Sequence, residues 1–294
     1  MPGAISLGLI WGIMAIGVYI TYKILDIADL TVDGSICTGA CVCAVLTVNG
    51  VNVWVAVPAA VVAGMLTGLL TGFFHTVLGI PAILAGILTQ LMLWSINIKI
   101  MGTANISIPN KKYDLWVTLG DPWMSILVLA IFIILLIGIL YWFFGTEAGS
   151  AIRATGNNLQ MSRAQGINTD LTKILGLVIS NGVVALSGAL LAQYQSFADI
   201  TMGNGAIVTG LAAIIIGDVV VSRFAKNFAV RLLGVIVGGI IYYLVYQTII
   251  FIGIDTDMLK FLAAIVVAIF LAAPYVKKRY FKKLKKSGGN NKNA

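Results

Sequence analysis

The sequence predicts an all-α fold, a polytopic helical membrane protein, and three observations predict it. Of 294 residues, 60% are hydrophobic and only 10% charged, with a mean hydropathy of +1.00, a balance that water-soluble domains do not show. Apolar runs near the ~20 residues needed to cross ~30 Å of hydrocarbon, at ~1.5 Å per residue, recur along the chain. The longest stretch between such runs is about 25 residues, too short to bury a core of its own.

These runs predict about nine transmembrane spans, near 5–23, 34–49, 52–74, 81–100, 124–144, 171–195, 206–221, 228–251 and 258–276. The first has neither a basic n-region nor a small-residue cleavage site, so it reads as a retained helix rather than a signal peptide. The second is short, holds Gly34, Gly39, Cys37, Cys41 and Cys43, and follows the acidic stretch Asp26, Asp29, Asp33. It reads equally as a full crossing or as a broken, re-entrant helix, since irregular backbone survives at membrane depth where protein surrounds it. In the third, Gly64, Gly68 and Gly72 repeat at four-residue spacing, as Gly234 and Gly238 do in the eighth. Close helix contact is their expected use, within one subunit or between two. His75, beside Gly79 and Pro81, reads as a structural turn residue. Residues 1–276 thus form one transmembrane domain, and 277–294 a basic tail expected to be unstructured.

Alternating nine spans puts Lys23, the loop at 146–173, the loop carrying Arg223, Lys226 and Arg231, and the tail KKRYFKKLKK on one side. The basic excess makes that side cytoplasmic, with the N-terminus outside and the C-terminus inside. Lys99, Lys111 and Lys112 dissent, and the tail outweighs them. A cationic tail beside a span is a topology signal or a contact with membrane lipids, so nucleic acid is not an expected partner.

The loop reads TEAGSAIRATGNNLQMSRAQGINTDLTK. Glu147, Arg153, Arg163 and Asp170 would each cost about 2.5–3.5 kcal/mol near the centre of a membrane helix, so the loop is exposed. Asn158 caps a predicted helix from Leu159 to Gln165, and Gly166 stands where a left-handed stop belongs. Thr169 and Asp170 are placed to cap the following span. An ordinary connecting loop would satisfy the same pattern.

The string AIRATGNNLQMSRAQGIN resembles the cytoplasmic coupling segment of ABC importer permeases in the branched-chain amino acid/ribose-type subfamily. DLTVDGSICTGA at 29–40 resembles the pattern after that subfamily's first span, and GLAAIIIGD at 210–218 resembles a third segment. The similarity runs in order from about Gly8 to Pro274 and extends to single-permease systems for aromatic amino acids. It implies a permease domain over 1–276 that pairs with a second permease copy as a homodimer, with two ABC ATPase subunits and with an extracellular substrate-binding protein. It also implies that the helix from Asn158 to Gly166 docks in the ATPase, with Glu147, Arg153, Gly156, Asn157, Asn158, Arg163, Ala164 and Gly166 as the coupling positions. Leu159 and Met161 depart from the proline or small residue expected there.

The sequence contains no G-x-x-x-x-G-K-[ST] phosphate loop, so ATP would be bound by a partner subunit; the chain itself is expected to be no enzyme and to need no cofactor. Asp218 is the one acidic residue within an apparent span, read as capping or pairing with Arg223. An ion-coupled secondary carrier should place charge at the midplane. Cys37, Cys41 and Cys43 have no fourth ligand, so no metal site is expected and they read as small packing residues. Asn97, Asn181, Ser187, Gln193, Gln195, Thr209 and Asp218 are the candidate polar lining of a translocation pathway, with helix–helix hydrogen bonding as their plain alternative. The expected solute is small and polar. An amino acid, aromatic or branched, comes first and a sugar or nucleoside second; the rival classes are an ion-coupled secondary transporter and a non-transporting membrane scaffold.

Overall fold

The computed structural model describes residues 2–109, 113–221 and 227–251, with isolated positions between 261 and 268. Among these, α1 (Pro2–Tyr19) continues through a π-helical turn at Ile20–Ile24 and is followed by α2 (Val32–Val48), α3 (Val53–Thr76), α4 (Ala82–Met101) and β1 (Asn105–Ser107). Then come α5 (Pro122–Gly145), α6 (Glu147–Asn157), α7 (Leu159–Ala164), α8 (Thr169–Gln195), β2 (Phe197–Asp199), α9 (Ala206–Val221) and α10 (Phe228–Phe251).

Six helices are long and apolar enough to cross a membrane: Pro2–Ile24, α3, α4, α5, α8 and α10. The apolar α2 and α9 are shorter, at 17 and 16 residues. Six expected spans thus coincide with helices long enough to cross, and the expected spans at 34–49 and 206–221 coincide with the shorter α2 and α9. The ninth, at 258–276, and the tail at 277–294 lie outside the described residues apart from isolated positions, as do Arg223, Lys226, Lys111 and Lys112.

Local chemistry sets the helix boundaries. Asn52 caps α3 by accepting from the Trp54 amide at 3.0 Å, and Pro122 opens α5, where its missing N–H costs nothing. Gly102, at φ +70°, ends α4 with its amide on the Ile98 carbonyl. The α5 surface carries Trp123 and Trp142, 74% and 72% exposed. They lie 19 positions apart, about 28 Å along a helix, which is the spacing of two aromatic belts.

Helices α1, α2 and α8 form the centre. Against them pack α3 and α4 on one flank, α9 and α10 on another, and α5 beside α1. The glycine stripe of α3 meets α8 of the same chain: a Cβ at Gly68 would collide with the Leu177 carbonyl and one at Gly64 with Asn181 and Ala185. Gly238 likewise abuts Ala213 of α9. Both stripes therefore serve packing within one subunit.

The fold is mostly helical, with one small addition: β1 and β2 pair antiparallel, Asn105 opposite Asp199. The second hydrophobic run forms one continuous helix of 17 residues, α2, and irregular backbone precedes it at 25–31, where Gly86 of α4 abuts Leu30. The strands join the connections after α4 and α8, which marks one end of the bundle as the strand end. The loop containing α6 and α7 marks the other as the loop end.

Candidate functional site

At the loop end, Thr146 caps α6 by accepting from the Gly149 amide at 3.4 Å. Asn158 caps α7 by accepting from the Met161 amide at 3.0 Å. After α7 the Ile167 amide reaches back to the Ser162 carbonyl at 3.1 Å, and Gly166 adopts φ +81°, the expected left-handed stop. The cap of α8 is Asn168, whose Oδ1 accepts from the Asp170 and Leu171 amides at 3.2 and 3.1 Å. This corrects the expectation for Thr169 and Asp170, which instead hold Arg163: its Nε donates to Thr169 at 2.9 Å and its Nη2 lies 3.5 Å from Asp170.

The platform is fastened to the bundle. Gly156 lies so close to the end of α1 that a Cβ would strike the Ile24 carbonyl. The hydroxyls of Thr155 and Thr172 join α6 to α8 at 2.9 Å. Arg153, itself exposed, donates to the Phe144 carbonyl and lies over the Phe144 and Phe228 rings at 5.9 and 6.0 Å. Glu147, Asn157, Asn158, Ala164 and Gly166 are exposed as well, as is Met161, at 59%. The eight predicted coupling residues are therefore split between anchors (Arg153, Gly156), a cap (Asn158), a bridge to α8 (Arg163) and free surface. Met161, first noted only as a departure, is the apolar knob of that surface.

His75 fulfils its expected turn role, with Nδ1 2.9 Å from the Ile80 carbonyl oxygen. Asp218 pairs with Lys23 at 3.0 Å, both partly exposed; its expected partner Arg223 lies outside the described residues. This exposed ion pair links α1 to α9 and contributes about 0–1 kcal/mol.

The predicted pathway residues do not share one surface. Asn181, in α8, is buried; its Nδ2 donates to Asp29 Oδ2 at 2.8 Å and its Oδ1 accepts from Ser35 at 2.6 Å. Ser35 meets Thr67 at 2.6 Å, and the neighbouring Thr31, Thr71 and Thr89 hydroxyls bond in series at 2.7 and 2.9 Å. Sequence reasoning missed Asp29, which lies in non-helical backbone inside the bundle, and so the reading of Asp218 as the one acidic residue at membrane depth is corrected. Gln193 accepts from the Trp116 amide at 3.1 Å and tethers the loop before α5. Ser187 donates to the Ile10 carbonyl at 2.7 Å. Asn97 is buried in α4 with its amide toward Cys37 and its Oδ1 without a hydrogen-bond partner. Cys37, Cys41 and Cys43 are all buried and free, as packing residues would be.

Thr209 borders a cavity. It lies at the strand end, about 430 Å³, bordered by Trp11, Tyr242, Tyr243 and Tyr246. Nearby, the Thr201 hydroxyl and amide bond to Asp199 and hold its carboxyl below the usual carboxylate range.

Comparison with known proteins agrees with this architecture. The family model described as branched-chain amino acid transport system / permease component matches residues 2–271. The chain is 41% identical to the tyrosine transport system permease protein of Clostridioides difficile, over 92% of this chain and 91% of the relative. It is 36% identical to the uncharacterized protein RP368 of Rickettsia prowazekii, over 88% and 92% respectively. It is 27% identical to the autoinducer 2 import system permease protein LsrC of Salmonella paratyphi B, over 64% of this chain and 55% of the relative. No solved structure matches. With eight apolar helices, a capped platform at one end and a match along nearly its whole length, the chain belongs to the branched-chain amino acid transport system permease family and is a multi-pass protein of the cell membrane.

Proposed function

We propose that this permease component of an ABC-type transport system imports an amino acid, an aromatic one first, and that α7 is its docking element for the ATPase. The observation that carries the coupling assignment is the α6–α7 platform. It is capped at both helix starts, tied to α1 and α8 through Gly156 and Thr155, and still presents Met161 outward. A push delivered to such a platform passes directly to the two central helices. The amino acid is favoured by the 41% identity, along nearly the full length, to a tyrosine permease.

On this reading the loop end is cytoplasmic, as the basic-residue bias supports, and the strand end faces a substrate-binding protein outside. Two ATPase subunits supply the energy. A second copy completes the pathway, giving a homodimer.

Reconstitution of the permease with its ATPase and binding protein in vesicles tests the reading. L-tyrosine should accumulate only when ATP is present on the loop side, and a proton or sodium gradient should not substitute. Met161→Glu places a charge on the docking knob without touching the bundle. It should cut ATPase co-purification at least about tenfold, the equivalent of one lost interface anchor, and uptake with it. Full ATPase capture by this variant would remove α7 as the docking element, and gradient-driven uptake without ATPase would remove the ABC mechanism.

A further inference from the structure

The strand-end cavity between α1, α9 and α10 has an unusual wall. Trp11 and Tyr243 stack with ring centroids 5.8 Å apart at 25°, Tyr242 meets Tyr243 edge-on at 5.5 Å, and Tyr246 lies 5.8 Å from Tyr243. Together these packed rings border about 430 Å³ of open volume, enough for a small solute. The cavity is also bordered by the polar groups of Thr201, Asn204 and Thr209, with the Thr209 hydroxyl 3.5 Å from the Gly205 carbonyl oxygen. Among the described lining residues none is charged.

One part of the rim is held in place. Both oxygens of the Asp33 carboxylate hold the start of α9, accepting from the Gly205 and Ile207 amides at 2.9 Å each. Gly203 is pressed against the Asp33 carbonyl. The segment 203–207 is thus tied to α2, which fixes this part of the rim.

We propose that this cavity is a binding station for an aromatic amino acid on its way into the permease, a site that rests on the importer reading above. The solute's ring stacks on Trp11 and Tyr243, whose faces are matched to another aromatic ring. Its ammonium finds the electron-rich faces of Tyr242 and Tyr246, and its carboxylate the hydroxyl and amide groups of Thr201, Asn204 and Thr209. With no charged side chain among the described wall residues, a net-neutral zwitterion suits it and a phosphorylated or anionic solute does not. A sugar could also stack on these rings, and the experiment separates it.

The assay uses the full transporter in vesicles. Val208, 46% exposed on the cavity wall, is changed to cysteine; the native cysteines are buried. L-tyrosine should slow labelling of Val208→Cys by a small thiol reagent at least about threefold, and ribose should not. Tyr243→Ala and Trp11→Leu should each lower the rate of L-tyrosine uptake about 2- to 10-fold, the worth of one aromatic contact. ATP hydrolysis stimulated by the loaded binding protein should persist, as should uptake by Trp142→Leu on the outer face of α5. If the wild type accumulates L-tyrosine while labelling is unprotected, or is protected equally by ribose, the cavity assignment falls alone. If the wild type accumulates no aromatic amino acid, the importer reading falls and the cavity assignment with it. Equal loss of uptake and ATP hydrolysis in Tyr243→Ala would mark a folding role and also overturn the assignment.

Discussion

Asn181→Leu separates hydrogen bonding from charge in the interior of this protein. The Asn181 side chain is fully buried and its amide joins Asp29 to Ser35, with a further bond from Nδ2 to the Leu177 carbonyl at 2.9 Å. Leucine keeps the volume and removes all three contacts. Ser35 retains Thr67, and Asp29 retains the Thr31 amide at 2.9 Å, so the loss falls mainly on the second carboxylate oxygen. A neutral hydrogen bond is worth about 1 kcal/mol and one to a charged group about 1.5–3; bonds inside membrane bundles measure lower, near ~0.6. The expected destabilisation is about 2–4 kcal/mol. At about 2–4 °C per kcal/mol for a chain of this size, the thermal midpoint of purified protein should fall about 5–15 °C, compared at one scan rate. Asp29→Asn should cost less, about 1–2 kcal/mol: its Oδ1 still accepts from Thr31, Asn181 keeps Ser35 and the Leu177 carbonyl, and only the bond between residues 29 and 181 is lost. Equal damage from the two substitutions would refute the hydrogen-bond account and show that the Asp29 charge is itself required. No shift with Asn181→Leu would show that the network adds nothing to stability.

Two further substitutions probe the same bundle. Gly68→Val forces a side chain into the Leu177 carbonyl of α8 and should lower the yield of monodisperse protein in detergent, with a loss of about 3 kcal/mol or more, since α3 and α8 must separate to admit it; a normal thermal midpoint would contradict the packing. Asn97→Leu removes a buried carbonyl oxygen that has no hydrogen-bond partner and should raise the midpoint, by about 1 kcal/mol in stability. Reduced uptake by this more stable protein would identify Asn97 as a pathway residue after all.

The sequence by itself determined the features that depend on neighbours along the chain. Apolar runs of membrane length gave the helices α1 to α5 and α8 to α10, because crossing hydrocarbon is a matter of length and composition. Asn158 and Gly166 gave the limits of α7, because a cap and a left-handed stop act within one turn. His75 disclosed its turn for the same reason.

Tertiary structure decided whatever depends on which helix faces which. Asp29 read only as one member of the acidic stretch before α2, and only the folding of residues 25–31 into the bundle put it against Asn181, 152 positions away. Arg153 carried the charge of a surface contact, and only the tertiary structure laid its guanidinium, still exposed, over the Phe144 and Phe228 rings. The α3 glycines announced a close approach without naming the partner, since a glycine stripe is equally flat toward any helix. The pairing of β1 with β2, and the gathering of Trp11 with Tyr243 from opposite ends of the chain, have no local signal at all. Each arises from the packing of helices far apart in sequence, which periodicity does not encode.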